Sequence, residues 1–128
     1  MLDMHDEEFE KYIKEVIESL PKEFAGLMEN VVIFVEELPT QGQINILRKR
    51  GEGGILLGLY EGIPRTRRGR YGIGETLPDR ISIFKNAILM ISNSPDEIKE
   101  NIRNTVIHEI AHHFGLSDED IKKARSGV

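Results

Sequence analysis

The stretch from Ser94 to Gly115 carries the signals for both of its ends, and it constrains the fold more than any other part of the chain. Ser94 is a helix N-cap, Pro95 takes the first helical position, and Glu97 stands where a capping box needs an acid. Gly115 can adopt the left-handed conformation that closes a helix. Between them Ile98, Ile102, Val106, Ile107, Ile110, Ala111 and Phe114 cover a wide arc. A helix this long and this apolar runs through the middle of a small domain, with other elements packed around it. At 128 residues the chain is expected to make one domain, residues 1–128, around one core.

The other elements can be read around that helix. Phe9, Tyr12, Ile13, Val16, Ile17 and Leu20 recur at helical spacing, behind Asp6, Glu7 and Glu8 in a first turn whose dipole favours them. Pro21 ends this helix, and Lys22–Met28 adds a short second turn. Asn30–Glu37 is rich in β-branched residues and is expected to be a buried strand. The polar stretch from Leu38 to about Gly54 shows no clear element. Ile55–Tyr60 reads as a second strand and Glu61–Asp79 as a loop. Arg80–Lys85 alternates apolar with polar residues and predicts a half-exposed strand. Ala87–Ser92 fits strand or helix equally. Ser117, with Asp120 three residues on, caps a short final helix. These elements together make an α+β fold class, with a small mixed sheet of three or four strands.

Charge and composition then narrow the function classes. There is no cysteine, so disulfides and thiolate metal sites are excluded. The N-terminus is acidic and lacks the apolar run of a signal peptide, and no segment approaches the roughly 18 apolar residues that cross a bilayer. The expectation is a cytoplasmic protein with no membrane partner. The net charge of −5 does not favour a nucleic-acid partner, although Arg65–Arg70 places four arginines in six residues.

Three of the four histidines lie in the capped helix. His108 and His112 are four apart, which stacks both imidazoles on one helix face, as two metal ligands require. Glu109 lies next to His108, cannot coordinate in the same way, and suits a base that holds a metal-bound water and takes its proton. His113 projects about 100° further round and cannot share an ion with the pair. It is expected to be buried and hydrogen-bonded. Beyond the helix, Gly115 lets the backbone turn, so that Asp118, a chemically sound zinc ligand, can approach from outside.

The string His108-Glu109-x-x-His112-x-x-Gly115-x-x-Asp118 resembles the zincin class of zinc metallopeptidases, and its aspartate is similar to the third ligand of snapalysin-type peptidases. With "LLGLYEGIP", "LPDRISIF" and "VIHEIAHHFGLSDEDI", most of the chain from about Leu20 onward resembles the small bacterial zincin-like metallopeptidase-domain proteins, or minimal zincins. The resemblance implies a minimal zincin-like fold, zinc (Zn2+) held by His108, His112 and Asp118, Glu109 as general base, and a peptide or protein substrate. Only ten residues follow Asp118, too few for the methionine-containing turn of metzincins, and Met90 reads as core. In zincins a cleft-bordering strand pairs with extended substrate, and the alternating Arg80–Phe84 is the candidate.

Two other readings stay open. One keeps the metal and drops the catalysis, giving a metal-binding interaction module. The other is a nucleic-acid-binding protein using the Arg65–Arg70 loop.

Overall fold

The computed structural model describes residues 3–50, 56–62 and 78–126. Helices α1 (Asp6–Glu18) and α2 (Lys22–Leu27) lead into strand β1 (Val31–Glu36) and helix α3 (Gln41–Lys49). Strands β2 (Gly58–Glu61) and β3 (Asp79–Phe84) follow, then helices α4 (Lys85–Met90), α5 (Pro95–Phe114) and α6 (Asp118–Ser126). This is an α+β architecture. The Arg65–Arg70 segment lies outside the described residues, as does Ile55.

The sheet has the order β1-β3-β2. β1 runs parallel to β3, with Ile33 opposite Ile81 and Val35 opposite Ile83; β2 runs antiparallel to it, with Tyr60 opposite Ile81. Two expectations change as a result. The Arg80–Phe84 strand is central, with both edges paired, so it cannot accept a peptide strand. Nor is it half-exposed, because Ile81 to Phe84 are all buried. The alternation is real, but it sorts residues onto two covered faces. Ile81 and Ile83 enter the main core, Phe84 joins Leu59 and Ala87 on the other side, and Ser82 is buried with a partner, accepting from Gln43 Nε2 at 3.2 Å.

β1 is not the buried strand that its β-branched residues suggest, and it lies at the edge of the described sheet. Val31, Ile33 and Val35 pack inward, while Val32 and Phe34 are 39% and 45% exposed. The guanidinium of Arg80 covers the Phe34 ring at 4.3 Å, and its amphipathic reach spares that ring from fuller exposure.

The polar stretch after β1 contains a helix, α3, that the apolar spacing does not disclose. Its N-terminus is closed by reciprocal bonds between Thr40 and Gln43: the Gln43 N–H donates to Thr40 Oγ1 at 3.1 Å, and the Thr40 N–H donates to Gln43 Oε1 at 2.8 Å. Ile46 packs against the Leu59–Phe84 cluster. A good cap and this apolar contact suffice for a helix where hydrophobic periodicity is weak.

α5 is the spine of the domain. Ile98, Ile102, Val106, Ile107 and Ile110 are at most 1% exposed, and each such side chain stabilises the fold by about 1.5–3 kcal/mol on burial. They meet Phe9, Ile13 and Val16 of α1 and Ile81 and Ile83 of the sheet. Ser94 Oγ accepts the Glu97 N–H at 3.2 Å, and Gly115 closes the helix at φ 65°, ψ 37°. Two residues read as core lie at the surface instead: Met90 is 60% exposed at the end of α4, and Phe114 is 42% exposed at the end of α5. Both sit where a helix runs out past the elements that cover it.

Candidate metal centre

The two histidines four apart do stack. The His108 and His112 rings lie 6.3 Å apart with planes 19° from parallel, on the exposed side of α5. Among the described residues neither ring has a hydrogen-bond partner. Two imidazoles stacked in this way would supply nitrogen ligands to one zinc ion.

Asp118 is not gathered with them. It is exposed, as the first residue of α6. The connection is tight: the Leu116 N–H donates to Ala111 O at 2.9 Å across Gly115, and Ser117 and Asp120 exchange capping bonds, with the Asp120 N–H donating to Ser117 Oγ at 3.2 Å. Among the described residues no three His, Asp or Glu side chains stand close enough together to hold a metal. In donor chemistry the residues fit zinc, and in position the two imidazoles fit. The Asp118 carboxylate stands apart from the pair among the described residues.

Glu109 follows His108 directly, about 100° further round α5, and is 6% exposed. Oε1 accepts the backbone N–H of Tyr60 at 2.8 Å, and the Arg50 guanidinium lies 3.7 Å from the same oxygen. A buried carboxylate without such partners is costly, and here a main-chain donor and a cation offset that cost. Glu109 and His108 together border a cavity of ≈ 470 Å³ that Leu47, Leu56 and Leu57 also line.

His113 is not the buried histidine expected. Its side chain is 35% exposed, its ring stacks on that of Tyr60 at 3.9 Å, and its Nε2 lies 3.9 Å from Asp79 Oδ2. Tyr60 OH donates to that same Asp79 oxygen at 2.7 Å. The structure therefore brings Arg50, Tyr60, Asp79 and His113 to the site; the sequence gives Arg50 and Asp79 no role there, and reads Tyr60 as packing and His113 as a buried histidine. Their only common signal is proximity to β2, which is a tertiary fact. Arg50 stands out in the sequence merely as part of a basic triplet, and α3 is what carries it to the β2 edge.

Residues 28–128 match the zincin-like metallopeptidase family. The chain belongs to that family. The zincin-like domain also resembles a solved structure, a conserved hypothetical protein from Thermus thermophilus, with a TM-score of 0.52 and 21% identity over 87% of this chain and 94% of that one. At that identity the likeness supports the zincin-like fold alone. No curated protein matches the chain. Among the described residues of this zincin-like domain, no helix is long and apolar enough to cross a membrane.

Proposed function

We propose that this zincin-like protein is a zinc-dependent metallopeptidase, with His108, His112 and Asp118 as metal ligands and Glu109 as general base. The observation that carries the reading is the pair of near-parallel imidazoles on α5, without hydrogen-bond partners among the described residues, with a buried glutamate one residue from the first of them. A zinc ion bound there supplies Lewis acidity, polarising a scissile carbonyl and acidifying a water. Glu109 takes a proton from the attacking water as its oxygen bonds to the carbonyl carbon. It then delivers that proton to the amine nitrogen as the C–N bond breaks. The peptide lies along β2, the antiparallel strand beside α5, which takes over the strand-pairing role first expected of Arg80–Phe84. The leucines that line the cavity beside His108 and Glu109 suit an apolar side chain next to the cleaved bond.

The test is metal content by elemental analysis together with cleavage of a peptide library, with and without chelator. One equivalent of zinc and chelator-sensitive cleavage are expected.

One observation favours a second reading, a metal-binding interaction module without hydrolysis: the Glu109 carboxylate is already paired with Tyr60 and Arg50. In that case zinc binds, and no peptide in the library is cleaved.

A further inference from the structure

Tyr60 sits opposite Ile81 in the antiparallel ladder, and its own N–H and C=O point away from β3 toward the edge that no other described strand occupies. Those two groups are the ones an incoming strand would pair with. Both are already bonded. The N–H donates to Glu109 Oε1 at 2.8 Å, and the C=O accepts from Arg50 Nη2 at 3.4 Å. Arg50 Nη1 lies 3.7 Å from the same Glu109 oxygen. A carboxylate acceptor from α5 and a guanidinium donor from the end of α3 thus stand in for the acceptor and donor of a peptide group.

From this we infer that the β2 edge, to which the proposed function assigns the peptide, is filled by the protein's own Glu109–Arg50 pair, so that a docking peptide must displace Glu109 from the Tyr60 N–H. The competition is strict on one side only. The Tyr60 C=O has two lone pairs and can keep Arg50 while accepting a second donor, whereas its N–H has a single hydrogen. Arg50 contributes by holding the carboxylate in place. The displaced carboxylate has somewhere to go, because Glu109 already borders the cavity it shares with His108. For the catalytic consequence of that release, the inference rests on the peptidase reading. There, only a chain extended enough to pair with β2 frees the base, and a compact loop that cannot form the ladder leaves it bound.

The competition is measurable without turnover. The probe is a pool of N-acetylated, C-amidated hexapeptides of random sequence, added to the chelator-treated full-length chain, with affinity read from the Tyr60 amide resonance. Glu109→Ala removes the competing acceptor and is expected to bind the pool about tenfold more tightly than the unaltered chain. Arg50→Ala weakens the hold and is expected to bind about two- to fivefold more tightly. Before peptide is added, the Tyr60 amide should exchange with solvent more slowly in the unaltered chain than in Glu109→Ala. Unchanged exchange at the Ile81 and Ile83 amides establishes that each variant is folded, and Arg50→Gln replaces Arg50→Ala if the latter is not. Equal or weaker peptide affinity in both variants overturns the inference, and so does a Tyr60 amide that no peptide perturbs. Competition at Tyr60 with no hydrolysis after zinc is restored sinks the peptidase reading alone. Hydrolysis without competition sinks the self-filled edge alone.

Discussion

The imidazole of His113 lies flat on the phenol ring of Tyr60, with centroids 3.9 Å and planes 18° apart, while its neighbour His112 stacks with His108. Consecutive histidines therefore do different work. One joins the end of the helix to the β2 edge; the other belongs to the imidazole pair. A Cβ added at Gly62 would stand 3.2 Å from His113 Cε1, so the chain leaving β2 also closes on this ring. His113→Ala should lower stability by about 1 kcal/mol, the usual size of a stacked ring contact, and leave zinc stoichiometry unchanged. Urea denaturation and elemental analysis of the same preparation check both halves. Loss of the metal would assign His113 a role this geometry does not give it.

His112→Ala should remove the bound zinc, because one imidazole alone does not make a site. Asp118→Ala is expected to keep weak binding through the imidazole pair, with affinity lower on the order of tenfold or more. Zinc titration against a competing chelator separates the two. If Asp118→Ala binds as tightly as the unaltered chain, the third ligand lies elsewhere.

Glu109→Gln should leave zinc bound and abolish peptide hydrolysis. The amide oxygen can still accept the Tyr60 N–H, so the change spares the β2 contact and removes only the group able to take a proton. Cleavage at the rate of the unaltered chain would reject Glu109 as base.

Gly58 is where β2 comes closest to α5. A Cβ there would meet Thr105 Cγ2 at 2.6 Å and the Ser82 carbonyl at 3.0 Å. Gly58→Ala should cost about 1–3 kcal/mol through displacement of the strand. Adding Thr105→Ser should restore part of it, since serine removes the clashing methyl and keeps the hydroxyl that donates to Asn101 O at 2.7 Å. Denaturation midpoints of the single and double variants decide this, and an undisturbed Gly58→Ala would mean that strand and helix are not so closely packed.

Gly115→Ala isolates a backbone effect. Nothing stands within 4 Å of the added Cβ, yet the residue sits at φ 65°. The expected loss is about 1 kcal/mol, and Gly115→Asn should lose less, because asparagine tolerates the left-handed region. Thermal denaturation of the two variants gives the ranking.

Elements whose signals are local were legible in the chain alone. The caps at Ser94, Gly115 and Ser117, the acidic first turn of α1 and the i, i+4 stacking of His108 with His112 all depend on residues within one or two turns, and each is found where the spacing puts it. Everything decided by which surface covers which needed the folded molecule. Alternation in Arg80–Phe84 could not reveal that both faces of β3 are covered, and the β-branched run of β1 could not reveal that it borders solvent. The partners of Glu109 come from Tyr60 and Arg50, far away in the chain, and only the packing of α3 and β2 against α5 brings them within bonding distance. Short-range rules fix a helix and its caps because their energies lie between near neighbours. A buried carboxylate takes whatever donors the assembled fold delivers, and no local pattern records them.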